Sequence, residues 1–279
     1  TLPADTVAWL CKSSWGTAWG KSGYFYISYA DGSLTNATFL DVAPAGDYDT
    51  LYQYDGGVFS QNATLAGAVG FGAQAAVYTA QADSYICAVS FYADSANMRV
   101  TGNVYTDLSG DGPVSGAKAA ASATRAPRYA GYYTLPLSAP VFVRAGSRFS
   151  VVLTLSDQDG DRIPFVYDAI GDEYGVKSEP TSSDGRTFWS ADGVHWSDFG
   201  TGRGELRIKA MSVNAVAAGP RGDVNGDGVL GVADAILLCR HVTELGMLRG
   251  RHLAAADVNG DHRVDVADVL SLCRAVAGY

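Results

Sequence analysis

Two twelve-residue stretches near the C-terminus carry the densest coordination chemistry of the chain. One reads DVNGDGVLGVAD from Asp223 to Asp234; the other reads DVNGDHRVDVAD from Asp257 to Asp268, an offset of 34 residues. Hard cations such as calcium take about six to eight oxygens, and a loop of this length offers them from its positions 1, 3, 5, 7, 9 and 12. In the first stretch these are Asp223, Asn225, Asp227, the carbonyl of Val229, a water near Gly231, and Asp234. In the second they are Asp257, Asn259, Asp261, the carbonyl of Arg263, Asp265 (directly or through water), and Asp268. Two Ca²⁺ ions are therefore expected. A lone acidic turn need bind nothing, whereas a duplicated one, each copy running into similar helical text, points to ligation. Gly228 fills position 6, where the loop turns sharply; His262 stands there in the second copy and is expected to strain it.

The elements that must hold these loops are legible next to them. ADAILLCRHV follows the first loop and ADVLSLCRAV the second. Ala235, Leu238, Cys239 and Val242 fall at i, i+3, i+4 and i+7, as do Val269, Leu272, Cys273 and Val276, so each set is expected to face a core. The opposite stripes hold Ala233, Leu237, Arg240 and Glu244, and Ala267, Ser271 and Arg274. No helical pattern precedes either loop, and position 12 is Asp where a helix–loop–helix calcium site has Glu.

With these features the span Asp223–Tyr279 resembles a type I dockerin, a small all-α calcium-binding module. The resemblance implies a cohesin module of a scaffolding protein as partner. It also implies a contact face made by Val232, Ala233, Leu237 and Arg240, repeated as Val266, Ala267, Ser271 and Arg274. Because the repeats are alike, binding in either of two orientations is expected. Pro220 and Tyr279 are expected to stack and close the module.

The N-terminal text AWLCKSSWGTAWGKSGYFYISYAD, from Ala8 to Asp31, resembles the last strands of a papain-like cysteine peptidase. Trp9, Lys12, Ser14, Trp15, Gly16, Trp19, Gly20, Gly23, Tyr24 and Phe25 carry the match. Such an enzyme needs a thiolate, an imidazole and a group that orients the imidazole. Ser13 stands at the family's Asn position, and Cys11 falls where the family has an apolar strand residue. The histidines (His195, His241, His252, His262) all lie far downstream. No catalytic residue is assigned, and this chain is read as not an enzyme. Its text opens inside a strand, so the chain is expected to continue upstream into a parent peptidase.

Between these ends the sequence alternates apolar and polar residues between Gly, Asp and Ser turns, the pattern of an antiparallel sandwich. Strands are expected at 75–79, 85–92, 98–106, 131–137, 140–144, 149–155, 163–167 and 206–212. AVSFYADSANMRVTGNVYTD and AGYYTLPLSAPVFVRAGSRFSVVLTL resemble the lectin-like domain that follows some papain-like peptidases. Trp189, Trp196, Tyr52, Tyr54 and Tyr132 are candidate sugar-stacking rings, with core packing the favoured alternative. SADGVHW, from Ser190 to Trp196, reads as a structural hairpin, and SDQDGD, from Ser156, as a β-turn.

The expected architecture is mainly a β sandwich (an X or lectin-like module) followed by a small all-α dockerin. The domains are a peptidase remnant over 1–34, the sandwich over 35–213, a linker over 214–222 and the dockerin over 223–279. A net charge of −9 argues against nucleic acid, and no apolar run reaches membrane-spanning length. The four cysteines form no disulfide framework. The expected role is calcium-dependent attachment of a secreted papain-like peptidase to a cellulosome-type scaffold on the surface of an anaerobic bacterium. An active cysteine peptidase and a carbohydrate-binding module, with a polysaccharide or glycan as partner, stand as alternatives.

Overall fold

The structure, a computed structural model, describes residues 8–32, 46–56, 60–94, 98–157, 159–160, 162–169, 171–173, 176–178, 185–200, 204–215, 219–261 and 263–279. It divides into two units, Thr1–Pro44 and Ala45–Tyr279.

The first unit holds one antiparallel hairpin, β1 (Ala8–Lys12) and β2 (Tyr24–Ser28), in register from Ala8↔Ser28 to Lys12↔Tyr24. Its turn depends on glycine: Gly20 has φ +60°, and a Cβ there would meet the Tyr24 carbonyl oxygen at 2.6 Å. Trp15 and Trp19, then Trp19 and Phe25, meet edge to face with ring centroids 5.3 and 5.1 Å apart. Even so Trp9, Leu10, Trp15 and Tyr26 are exposed by half or more, and Cys11 is half-buried.

The second unit opens with β3 (Thr50–Gln53), β4 (Ser60–Val69), β5 (Phe71–Thr79), β6 (Ser84–Ala93), β7 (Met98–Thr106) and β8 (Ala117–Ala121). It continues with β9 (Gly131–Val143), β10 (Arg148–Asp157), β11 (Arg162–Ala169), β12 (Gly171–Glu173), β13 (Val176–Ser178), β14 (Thr187–Ser190), β15 (Ser197–Asp198), β16 (Gly204–Leu206) and β17 (Ile208–Asn214). Helices α1 (Val232–Val242), α2 (Gly250–Ala254) and α3 (Val266–Ala277) close the chain.

A six-stranded sheet in the order β15-β14-β5-β10-β7-β8 faces a four-stranded sheet in the order β3-β17-β6-β9, with β16-β11-β4 as a third sheet. Alternation along the strands sends Phe149, Val151, Leu153 and Leu155 of β10 into the main core with Phe91, Val89, Ile208 and Phe165. Val152, between them, meets Ala75, Val77, Phe188 and Trp196 on the other face of the same sheet. Burial on both faces explains why β10 reads as an almost unbroken apolar run. At Gly102 the sheets come close enough that a Cβ would lie 2.4 Å from Val89 Cγ2.

Some sequence-derived strands change shape. The two expected over 131–137 and 140–144 form one strand, with the register shift falling opposite, between Ile86 and Ala88 of β6. The strand expected over 206–212 divides at Arg207 into β16 and β17. Strands β4, β8 and β14 were among those not expected. β4 and β8 hold mostly small or polar residues, which carry little strand propensity.

Candidate calcium loops and docking face

Both acidic loops are folded around their first and last carboxylates. In the first, Asp223 Oδ1 accepts from the Gly226 and Asp227 N–H groups at 2.9 and 3.1 Å, and Oδ2 from Gly228 at 2.9 Å. Asp234, with no exposed surface, reaches back from α1 to accept from the Asn225 and Gly231 N–H groups, both at 2.9 Å. The second loop repeats the closure. Asp257 Oδ1 accepts from Gly260 at 2.8 Å, and Asp268, also fully buried, accepts from Val258, Asn259 and Asp265 at 2.8, 3.2 and 2.9 Å. Gly226 and Gly260, at position 4, have φ +76° and +78°, a left-handed turn that the sequence suggested only at position 6. Gly228 is left-handed as well, at +82°, while His262 lies outside the described residues.

The donor set suits a hard cation. Asp223, Asn225, Asp227 and Asp234 offer only oxygens and one amide, and among the described residues no ion pair neutralises those three carboxylates. Uncompensated like charges in one loop are costly without a cation. The side-chain oxygens are here engaged with the loop itself: Asn225 Nδ2 donates to Asp227 Oδ2 at 2.8 Å, and Asn259 Nδ2 to Asp261 Oδ2 at 3.2 Å. Among the described residues no three His, Cys, Asp or Glu side chains gather in ligating geometry. Burial pushes the Asp268 carboxyl up, against three backbone N–H groups that pull it down. Asp265 also serves as the N-cap of α3, accepting from the Ala267 N–H at 2.7 Å. Gly231, its counterpart, caps α1 without a side chain.

The helix faces differ from the expected ones by one position. Leu238 and Leu272 are fully buried and Ala235, Val242, Val269 and Val276 pack beside them, but Cys239 and Cys273 are exposed. Leu237, expected outside, packs on the core, and Ser271 is half-buried with its hydroxyl donating to the Ala267 carbonyl at 2.8 Å. Exposed instead are Ile236 and Leu270, each 54% accessible, which are the same position in the two repeats. With Val232 at 66% and Val266 at 60%, beside exposed Ala233, Arg240, Ala267 and Arg274, they make two equivalent apolar stripes rimmed by a cation. The missed signal was available: in both repeats an aliphatic side chain stands four residues after the Val that opens the helix.

The far side of this helical module is seated on the sandwich. Leu248, Leu253 and Ala254 share one core with Val224, Leu238 and Leu272 of the module and with Cys87 and Val213 of the four-stranded sheet. α2, which no sequence pattern announced before the second loop, supplies most of this seam. Gly250 opens it with φ +50°, and a Cβ there would lie 2.1 Å from the Asp47 carbonyl oxygen. Arg251 Nε donates to the Gly46 carbonyl at 2.8 Å, with its Nη2 3.5 Å from Asp49. His241 is buried; its Nδ1 accepts from the Leu248 N–H at 3.2 Å, the backbone of Ser138 lies against it, and burial pushes its pKa down. Burial likewise drives the Cys87 thiol up and pushes Tyr48 up to about 12. The closing stack is absent: Tyr279 is 97% exposed.

The remaining candidate residues have structural partners. Ser13 Oγ accepts from the Trp15 N–H at 3.1 Å, tightening the hairpin turn. Tyr52 is buried, and Tyr54 and Trp189 pack on the main core. Trp196 belongs to the outer cluster. Tyr132 is 46% exposed, but its hydroxyl donates to Asp55 Oδ2 at 2.7 Å and Lys209 Nζ stands 4.9 Å over its ring. Asp192 accepts from the Val194 and His195 N–H groups, both at 2.8 Å, so SADGVHW is a structural turn. Asp157 closes the other acidic turn by accepting from the Asp159 N–H at 2.8 Å; Gln158 and Asp161 lie outside the described residues.

Comparison with known proteins follows this division. Residues 51–212 match the model of the lectin-like domain, and residues 221–277 match that of the dockerin type I domain. No curated protein matches the chain. Among solved structures it is similar to the cysteine protease and lectin-like domains of Cwp84, a surface layer associated protein of Clostridium difficile. Identity is 20% and the TM-score 0.57, over 76% of this chain and 47% of that one. It is also similar to clostridial cysteine protease Cwp84 after propeptide cleavage, at 19% identity and TM-score 0.54, over 76% and 52%. The likeness is one of fold, and the chain spans about half the length of the structures it matches. A β sandwich carrying two buried-carboxylate loops on a seated helical tail thus belongs to the lectin-like domain family and ends in a type I dockerin.

Proposed function

We propose that the C-terminal module binds two Ca²⁺ ions and plugs into a cohesin of a scaffolding protein, so fixing a secreted papain-like peptidase to a cellulosome-type assembly at the cell surface. Asp223, Asn225, Asp227, the Val229 carbonyl and Asp234 hold the first ion. Asp257, Asn259, Asp261, the Arg263 carbonyl, Asp265 and Asp268 hold the second. Calcium supplies a charge balance that the loops lack, and with it folding free energy. The observation that carries the reading is the paired stripe: Val232, Ile236 and Arg240 recur as Val266, Leu270 and Arg274, 34 residues on, with matching exposure. Two such stripes give one partner two ways to dock. The first is extended by exposed Leu245 and Met247, which biases the choice toward it.

Calorimetry against a panel of cohesins tests this. A hit that vanishes in EDTA, survives either Arg240→Ala or Arg274→Ala, and is lost when the two are combined is the expected result. Binding indifferent to EDTA would refute the calcium reading, and no hit in calcium would refute the partner.

The peptidase part rests on the hairpin of the first unit, whose Ser-Trp-Gly and Trp-Gly text resembles the end of that enzyme family. This chain supplies neither the thiolate nor the imidazole. Turnover of a peptide substrate by this chain, abolished by a thiol-directed inhibitor, would overturn that assignment.

A further inference from the structure

Each acidic loop is braced by a basic side chain that belongs to the lead-in of the other. His252, in α2, stands five residues before Asp257, yet its ring lies on the first loop. Its Nδ1 donates to the Val224 carbonyl at 2.8 Å, and a Cβ at Gly226 would meet its Cε1 at 3.4 Å. Arg221, two residues before Asp223, lies instead on the second loop, where a Cβ at Gly260 would run into Nη1 of its guanidinium. Gly226 and Gly260 are the same position of the two loops. The bare backbone there is thus a seat for a side chain as well as a left-handed turn.

The braces are not copies of one another. Ala255 stands 34 residues beyond Arg221, so the second lead-in has no guanidinium at that position and α2 supplies an imidazole from another. The lead-ins are also tied together, the Gly222 N–H donating to the Ala255 carbonyl at 2.8 Å. Gly222 is wedged between Leu272 of α3 and Leu230 of the first loop, whose side chains lie 2.9 and 3.2 Å from where its Cβ would stand. Val224 is 1% exposed, with its side chain in the core that α1, α2 and α3 share. Its peptide is therefore held from both sides.

We infer that Arg221 and His252 are positioning residues that couple the two calcium sites, so that filling either strengthens the other. This rests on the calcium reading above. Asp223 and Asn225 flank Val224; turning both toward one ion requires the peptide between them to keep its orientation, which His252 fixes. An ion on Asp257 pins the end of the segment that α2 begins, and so holds His252 in place. In the other direction, an ion on Asp223 pins the segment carrying Arg221, and with it the guanidinium that covers the turn of the second loop. Coupling of this kind is reciprocal. His252 need not change its charge for this, because the neutral tautomer with a proton on Nδ1 already donates to the carbonyl.

Calcium calorimetry on the full chain tests it by a mutant cycle. Asp227→Ser closes the first site and Asp261→Ser the second; both side chains are exposed, so the core is left alone. Each change is expected to weaken calcium at the remaining site about fivefold. With His252→Ala and Arg221→Ala in the same chain, closing one site should no longer alter the other. His252→Asn with Arg221→Gln keeps a donor at each place without the guanidinium charge, and should restore the coupling. Helical circular dichroism in saturating calcium is expected to be equal throughout, which separates lost coupling from lost folding. The serine changes alone decide whether coupling exists, and the Asn–Gln pair against the alanine pair decides which residues carry it. Independent sites in the native chain would overturn the proposal, as would coupling that survives the alanine pair undiminished. A flat isotherm in the native chain would instead sink the calcium reading, and the coupling with it.

Discussion

Asp234 and Asp268 each terminate a loop and open a helix at once, which makes them the most demanding residues of the tail. Each is fully buried and accepts two or more backbone N–H groups. Replacing either by Ala would leave buried donors unpaired, at about 1–3 kcal/mol each, and, on the proposed calcium assignment, would remove a ligand. Asp234→Ala is expected to abolish the upward shift in melting temperature that calcium gives the tail, read by helical circular dichroism with and without EDTA. Asp265 separates two roles by chemistry. As an N-cap it should cost about 1 kcal/mol when changed to Ala but only a few tenths when changed to Gly. If it acts as a ligand, Asp265→Gly should still weaken calcium binding at one site of the two, measured by calorimetry.

The helices show how far local pattern carries. Their existence, their loops and their duplicated cationic rim were legible, because ligand spacing and 3.6-residue periodicity are local properties. Cys239 and Cys273 were placed inside and Leu237 outside because an apolar stripe was fitted to each helix by itself. The buried face is instead shared among α1, α2, α3 and the sandwich, and this rotates it toward Leu237 and His241. A five-residue α2 has no periodicity to detect. For the same reason Ile236 and Leu270 passed unnoticed. Ile236→Asp together with Leu270→Asp should eliminate cohesin binding with the melt preserved, whereas either change alone leaves one stripe working.

His241 predicts a pH response for the seam. Its folded pKa lies below the ordinary value because burial disfavours the imidazolium. The stability it contributes is therefore complete above about pH 6.5 and is lost as pH falls through the folded value. Hydrogen exchange of α1 and α2 should accelerate below that range in the native protein and much less in His241→Gln.

At the scale of the molecule, the strand order was only partly legible. Alternation revealed β6, β7, β9 and β10, but it says nothing about which strands become neighbours, and that follows from long-range packing. The same packing joins sandwich and dockerin, with Gly250 as the point of closest approach. Gly250→Val would drive a side chain into the Asp47 carbonyl and is expected to split one cooperative melt into two in calorimetry, the dockerin going first. A β-branched residue is also poorly tolerated at a φ of +50°.

The seam has a consequence for descent and for engineering. Leu248, Leu253 and Ala254 share their core with Cys87 and Val213 of the sandwich as well as with the module's own leucines. Grafted onto another carrier, this tail would expose apolar surface that the sandwich now covers and would tend to aggregate. Domain shuffling should accordingly have moved sandwich and tail as one piece, and a designer borrowing the plug must borrow its socket or repaint the underside.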